Sequence, residues 1–311
     1  MFLVSNSRRF SRSEFAKNIF YAAKIIKAQI VYSVDVLCSL ILISRKPYSG
    51  KKHTLNLFNK NNLIKHKKSD TLFILASGFS LNTLSDHQWE IIQACDVLTF
   101  NHSYMVNVKA SYYLCELADD ATMSKIGSDL YSISEYDNLP KLFTPDSPNI
   151  LQAINRFNKL SLINSIFTPV VWFPSCDFKH FREQFWRLLQ FCRFLPVSYP
   201  SVQTIFRASL DRAIGLGIQL NYAEIVLLGA DLNTKYFFED SKLLRKNLVP
   251  PLKNKETPGI HATVRKSEIN NLTTIDVIKE FIDFCDNNKK TALFYRGTNS
   301  ELANLLPDYK W

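Results

Sequence analysis

The stretch Thr71–Ala76 (TLFILA), followed at once by Ser77 and Gly78, decides the fold class. A short apolar run that ends in a Ser-Gly turn is typical of a buried strand. Similar runs recur at Asp96–Phe100 and Glu224–Leu228, with helical spacing between them. Buried strands that alternate with helices predict an α/β, Rossmann-like fold, in which helices flank a parallel sheet.

Other segments continue this alternation. Shorter apolar runs predict further strands at Ser111–Leu114, Thr168–Phe173 and Thr291–Tyr295. Helices are predicted at Ser85–Ala94, Ser201–Leu220 and Thr273–Asn287. Residues 232–270 are rich in Lys, Asn and Pro and have little periodicity, so this segment is long enough to be a lid. We therefore expect one domain at residues 70–311.

Small or polar residues stand at the ends of three predicted strands, where parallel sheets bind their ligands. The turn Ser77-Gly78-Phe79-Ser80 suits a phosphate, which its backbone N–H groups would bind. The amide of Asn101 can bind the edge of a nucleotide or a sugar. Asp231, after Gly229, is either a ligand group or a loop cap. The first turn is not G-x-G-x-x-G and lacks a P-loop Lys, which disfavours NAD and ATP. All these residues are also common in ordinary turns.

A histidine in the predicted lid is the candidate general base. His261 lies in a Pro-Gly-Ile-His context, and a neutral imidazole can take a proton from an attacking sugar hydroxyl within hydrogen-bond reach. Three other histidines are interpreted as surface residues, because His53 and His66 lie in a polar linker and His87 begins a helix.

Positive charge is concentrated at the N-terminus. Residues 1–70 contain 14 Lys or Arg and 3 acidic residues, whereas the rest of the chain is close to neutral. A nucleic-acid-binding protein would more often spread positive charge over its folded domain. A basic segment that is interspersed with apolar residues points instead to an anionic membrane surface.

Residues 13–44 contain no Pro or Gly and predict a long helix. Its most apolar part, Ala28–Ser44, is shorter than a typical membrane span and contains Asp35, which would be costly inside a bilayer. We favour an amphipathic helix that lies in the membrane interface; a single span and a buried helix are the alternatives. Residues 1–69 are thus predicted to be a membrane-associating extension and linker.

The cysteines and acidic residues do not predict a metal site. None of the six cysteines forms a C-x-x-C motif, which fits reduced thiols in a cytoplasmic protein. The acidic residues Asp119 and Asp120 are adjacent and do not form a spaced Asp-x-Asp motif.

Five collinear stretches resemble motifs of the bacterial lipooligosaccharide sialyltransferases of glycosyltransferase family 42. They are FILASGFSLNTL (73–84), DVLTFNHSYM (96–105), RASLDRAIGLGIQLNYAEIVLLGADL (207–232), NKETPGIHATV (254–264) and LFYRGTNSELANLLP (293–307). The resemblance implies a GT-A-variant nucleotide domain with a lid. It also implies inverting, metal-independent transfer from CMP-N-acetylneuraminate, without a cofactor.

The resemblance also implies roles for individual residues. Nucleotide contacts would come from Ser77, Gly78, Ser80 and Asn101, and from the matching Gly-x-Asp turn at Gly229 and Asp231. Ser209 would lie near the carboxylate or phosphate of the donor, and Asn299 and Ser300 would shape the cytidine end. His261 would be the general base. Tyr236 matches one of two tyrosines that support the leaving phosphate, and Asn233 stands at the other position.

Departures from the family pattern leave the donor sugar open. The family usually has Asn and Pro where this chain has Ser77 and Phe79, and it has Thr where this chain has Ala208. The family's Arg is out of register, with Arg207 nearby, and an Asn expected after the third strand falls near Leu114 or Cys115. The donor is therefore CMP-Neu5Ac, a modified sialic acid or CMP-Kdo.

The expected function is sialic acid transfer to a lipid-linked cell-surface glycan, at the cytoplasmic face of a bacterial inner membrane. The expected partners are the CMP-sugar, the glycan acceptor and the membrane surface, without nucleic acid, and self-association stays open. The alternatives are a Kdo transferase that uses CMP-Kdo and a non-catalytic, membrane-bound protein that binds nucleotide sugars.

Overall fold

The computed structural model describes residues 60–145, 150–160, 162, 164–168, 170–172, 203–205, 208–232, 236–237, 243–250, 273–287 and 292–311. The predicted membrane-associating helix lies outside these ranges. Within them, no helix has both the length and the apolar character needed to cross a membrane.

Nine strands and six α-helices make up the described part of the chain. The strands are Thr71–Leu75 (β1), Asp96–Phe100 (β2), Tyr112–Leu117 (β3), Lys141–Pro145 (β4), Ser165–Phe167 (β5), Val170–Trp172 (β6), Gln203–Ile205 (β7), Glu224–Leu228 (β8) and Leu293–Arg296 (β9). The helices are Lys60–Ile64 (α1), Asp86–Ala94 (α2), Asp120–Tyr131 (α3), Ile150–Leu160 (α4), Ser209–Gln219 (α5) and Thr274–Asn287 (α6).

Seven strands form one parallel sheet in the order β5-β4-β3-β2-β1-β8-β9. From β1 to β5 the chain moves steadily towards one edge, and it then returns to add β8 on the other side of β1. The topological switch point thus lies between β1 and β8, where Leu75 is in register with Leu228. The carboxyl ends of these two strands flank the crevice in which open α/β sheets bind ligands.

The two faces of the sheet are buried by different elements. Leu72 and Ile74 of β1 share a core cluster with apolar residues of α5 and α6. On β4, Phe143 contacts Phe157 of α4, and on β1 Phe73 stacks on Trp311 at the end of the chain. Because helices or chain segments cover both faces, the strands are apolar on both sides, which is why they appear in the sequence as continuous apolar runs.

The parallel α/β fold is confirmed, and so are the strands β1, β2 and β8. Ser201–Leu220 was predicted as one helix, but the described part contains strand β7 and a helix that begins only at Ser209. β7 pairs with β6 in a separate two-stranded sheet, so Val170–Trp172, within the predicted run Thr168–Phe173, is not a strand of the main sheet. The core also reaches into the predicted linker, since Leu63 of α1 is buried.

Candidate functional site

A cavity of about 370 Å³ opens at the carboxyl ends of β1, β2, β3 and β8, at the topological switch point. The first residues of α5 form another wall. Among the residues that line the cavity are Ser77, Gly78, Asn101, His102, Glu116, Ala208, Ser209, Leu210, Gly229, Asp231, Tyr236 and Thr274. Seven of the predicted site residues are therefore brought together from four separate segments of the chain.

The turn after β1 packs tightly against the turn after β8. The N–H of Gly78 donates to the carbonyl of Gly229 at 2.8 Å. A Cβ atom at Gly78 would collide with that carbonyl and would lie 2.5 Å from Cγ of Asp231. Gly229 has a positive φ of 63°, which favours glycine. Both glycines are therefore needed for this close approach of two strand ends.

Asp231 holds the first turn in place. Its carboxylate accepts hydrogen bonds from the backbone N–H of Ser80 at 2.8 Å and from the hydroxyl of Ser80. Burial raises the pKa of Asp231, and the two bonds from Ser80 oppose that shift. Of the two roles that the sequence left open for Asp231, the loop cap is the one that these contacts support.

The first turn differs from the phosphate cradle that we expected. The N–H groups of Gly78 and Ser80 donate to Gly229 and Asp231, so both are used inside the protein. Ser80 is buried and does not line the cavity. These two amides are therefore not available as hydrogen-bond donors to an anionic ligand.

The start of α5 provides such donors. The first N–H groups of a helix lack intrahelical partners and lie at the positive end of its dipole. Asp211 accepts from the N–H of Ala208 at 2.8 Å, while no described residue accepts from the N–H groups of Ser209 or Leu210. Both residues line the cavity. An anionic group of a ligand can thus bind at this helix end.

A chain of polar contacts runs from three lining residues, Asn101, Ser209 and Glu116, to the buried Arg212. Asn101, whose φ is 48°, donates from Nδ2 to Oγ of Ser209 at 2.9 Å. Ser209 in turn donates to Oε1 of Glu116 at 2.6 Å. Nη2 of Arg212 lies 3.1 Å from the same Oε1, and its Nη1 donates to the hydroxyl of Thr144. Arg212 is buried, so this ion pair joins α5 to β3 inside the domain.

His102 is a second candidate general base, in addition to His261. It lines the cavity directly after Asn101. Burial lowers the pKa of His102 below 6.5, Lys125 lowers it further, and Asp129 opposes both effects. Its Nδ1 is buried and has no hydrogen-bond partner in the described part of the chain. A neutral imidazole with this placement is chemically capable of accepting a proton.

The remaining predicted residues lie at the margin of the cavity or outside the described ranges. Tyr236 lines the cavity and forms an antiparallel backbone bridge with Gly78. Ser300 donates to the carbonyl of Ala230 at 2.5 Å and so supports a lining residue, whereas Asn299 is exposed and does not line the cavity. His261 and Asn233 lie outside the described residues.

Sequence reasoning assigned no role to Glu116, Arg212 or Thr274. Glu116 could have been recognised, because it follows the run SYYLC and so lies near a strand's carboxyl end. Nothing in the sequence indicated that Arg212 would reach it. Within the described ranges, no group of three or more His, Cys, Asp or Glu residues could hold a metal ion.

No protein-family model and no curated protein matches the chain. Among solved structures, the chain is similar to the crystal structure of the sialyltransferase CST-II in complex with CMP. The two are 16% identical, with 78% of this chain and 87% of that chain covered and a TM-score of 0.42. A likeness of this degree assigns neither a family nor an activity to the chain.

Proposed function

We propose that the protein is an inverting glycosyltransferase that transfers a sialic-acid-type sugar from a CMP donor to a glycan acceptor. The observation that carries this proposal is the cavity at the switch point. It combines a helix N-terminus, which suits an anion, with the polar chain Asn101–Ser209–Glu116, which suits a nucleotide or sugar.

The donor phosphate would bind at the start of α5. When the bond from the sugar to CMP breaks, negative charge grows on the phosphate, so N–H groups at this point would stabilise the transition state more than the ground state. The N–H groups of Ser209 and Leu210 are the proposed donors. The hydroxyl of Tyr236, which also lines the cavity, is a further proposed donor.

His261 is the proposed general base. The chain leaves the described residues after Pro250 and re-enters them at Thr273, and the next residue, Thr274, lines the cavity. His261 precedes Thr274 by 13 positions in the sequence. In the proposed reaction, His261 takes the proton of an acceptor hydroxyl. The hydroxyl oxygen then bonds to the anomeric carbon as CMP leaves with the electron pair of the broken bond.

The basic N-terminal extension is proposed to hold the enzyme at an anionic membrane surface. There it would meet a lipid-linked glycan at a raised local concentration. In this proposal the protein works at the cytoplasmic face of the inner membrane, and the glycan belongs to the cell-surface lipooligosaccharide. Binding to vesicles with and without anionic lipid, compared between the full chain and a chain that lacks residues 1–54, tests the extension.

The test of the function is a donor screen with purified protein and cell-envelope glycolipid. We expect CMP release and a mass gain of one sialic acid from CMP-Neu5Ac. A mass gain only from CMP-Kdo would instead identify a Kdo transferase. Nucleotide binding without any turnover would favour a non-catalytic binding protein.

Three histidine variants test the base. His261→Ala should lower kcat by about a hundredfold or more while leaving donor binding intact, which is the usual contribution of general base catalysis. His87→Ala is the matched control, since the His87 side chain is 77% exposed on α2. If His102→Ala abolishes turnover and His261→Ala does not, the base is His102.

A further inference from the structure

Glu116 lines the cavity with only one of its two carboxylate oxygens occupied. Oε1 accepts from Ser209 and pairs with Arg212, at 2.6 Å and 3.1 Å. No described residue donates a hydrogen bond to Oε2, and the side chain is 31% exposed. A carboxylate oxygen offers acceptor sites only. The cavity therefore contains an acceptor that a ligand can use.

The hydroxyl of Ser209 reinforces this acceptor character. A hydroxyl has one hydrogen to donate and two lone pairs. The hydroxyl of Ser209 donates its hydrogen to Glu116, and one of its lone pairs accepts from Nδ2 of Asn101. It can therefore offer a ligand a lone pair but no hydrogen. An anionic group that lies near Ser209 would therefore bind the backbone N–H and not the hydroxyl, since a carboxylate or phosphate needs a hydrogen-bond donor.

Glu116 is also held in a fixed position. Arg212 is 2% exposed and reaches both Glu116 on β3 and Thr144 on β4, which is the next strand in the sheet. A binding group that is fixed before the ligand arrives loses little conformational entropy on binding, which strengthens its contribution to affinity.

We propose that Glu116 is a specificity-determining residue that accepts a hydrogen bond from a hydroxyl group of the bound ligand through Oε2. The inference rests on the proposed function, because a CMP-sugar brings hydroxyl groups on its ribose and on the transferred sugar. Both sources present the same O–H donor. Two neighbouring groups then have distinct roles: the N–H groups at the start of α5 take the anionic group, and Oε2 of Glu116 takes the hydroxyl.

The test is a binding cycle that combines a protein change with a ligand change. The affinities of CMP, 2′-deoxy-CMP, 3′-deoxy-CMP and the intact CMP-sugar are measured by calorimetry for the wild type and for Glu116→Gln. The Gln side chain has the same size and can still accept from Ser209, but its amide nitrogen replaces Oε2 with a donor. Glu90→Gln is the matched control, because Glu90 is 79% exposed on α2.

If the hydroxyl belongs to ribose, one deoxynucleotide should bind the wild type about 10-fold more weakly than CMP, and Glu116→Gln should remove that difference. If the hydroxyl belongs to the transferred sugar, Glu116→Gln should weaken the binding of the CMP-sugar by about 10-fold. The affinities of the three nucleotides should then stay unchanged. Either result supports the inference, provided that Glu90→Gln binds every ligand as the wild type does.

Two results would overturn the inference alone. One is an equal change in the affinity of every ligand on Glu116→Gln, which would indicate a purely structural role. The other is no change for any ligand. A wild-type protein that binds none of the four compounds would instead overturn the proposed function and this inference with it.

Discussion

Two carboxylates on neighbouring strands of the sheet have opposite surroundings. Asp96 stands at the amino end of β2 and is fully buried, whereas Glu116 stands near the carboxyl end of β3 and lines the cavity. Asp96 accepts four hydrogen bonds from within the protein, from Lys68 N, Ser69 N, Ser111 Oγ and Tyr222 Oη. Both of its oxygens are used, while Glu116 keeps Oε2 open.

This difference separates a structural carboxylate from one that can bind a ligand. Burial raises the pKa of Tyr222 far above its ordinary value, so its hydroxyl stays a donor to Asp96 throughout the physiological pH range. Through Lys68 and Ser69, Asp96 ties the segment before β1 to β2. These hydrogen bonds use the acceptors of Asp96 at the amino end of β2. At the carboxyl end of β3, Glu116 keeps an acceptor that faces the cavity.

The largest expected effect is on stability, and it compares two isosteric changes. Asp96→Asn should lower the free energy of unfolding by about 3 kcal/mol, because an amide nitrogen would replace one acceptor oxygen and would face buried donors. Glu116→Gln should cost less, about 1–2 kcal/mol, because its side chain is partly exposed and its amide oxygen can still accept from Ser209 and Arg212, although the buried Arg212 loses its charged partner. Urea unfolding of both variants measures the difference.

Equal losses of unfolding free energy in the two variants would contradict the expected difference between Asp96 and Glu116. A loss of nucleotide affinity in folded Asp96→Asn protein would contradict it as well, since Asp96 lies at the amino end of β2 and the cavity lies at the carboxyl ends of the strands.

A smaller effect on stability is expected at Gly78, which lies in the turn after β1. Gly78→Ala should cost about 2 kcal/mol, because the new methyl group collides with Gly229 and Asp231 and must displace one of the two strand ends. Ligand affinity should fall as well, because the same strand ends line the cavity. Thermal unfolding and calorimetry measure the two losses.

Gly215 on α5 provides the matched control. A Cβ atom at this position would meet Phe281 at 3.8 Å, which is an ordinary contact distance. Gly215→Ala should therefore be neutral or should stabilise the protein by up to about 1 kcal/mol, since Ala is the better helix former. Equal losses in the two variants would show that the close approach at Gly78 has no special role.

The smallest expected effect is a pH dependence from His102. Its folded-state pKa lies below its unfolded value, so the unfolded chain binds the proton more strongly. Stability should then fall as the pH drops below about 6.5, and it should be unaffected by this residue at higher pH. His102→Gln should reduce the loss of unfolding free energy between pH 7 and pH 5.5 by less than about 1 kcal/mol. His87→Gln, on the exposed face of α2, is the control variant. A pH profile of His102→Gln that is identical to that of the wild type would contradict the expectation.

The sequence determined the elements whose signals are local. β1, β2 and β8 are short apolar runs that end in small or polar residues, and each run is complete within the sequence window that reveals it. Parallel sheets bind ligands at their carboxyl ends, so the residues after these runs could be predicted to meet. Gly78, Asn101 and Asp231 do line one cavity.

Only the tertiary structure decided what each of these residues contacts. The carboxylate of Asp231 accepts a hydrogen bond from Ser80, which is 151 positions away in the sequence. Glu116 accepts one from Ser209, which is 93 positions away. A local pattern contains no information about such pairs, because a hydrogen bond depends on the separation of two atoms in space and not along the chain. Asp96 and Glu116 therefore look alike in sequence, as single acidic residues beside apolar runs. The folded sheet places one among four donors and the other at an open cavity.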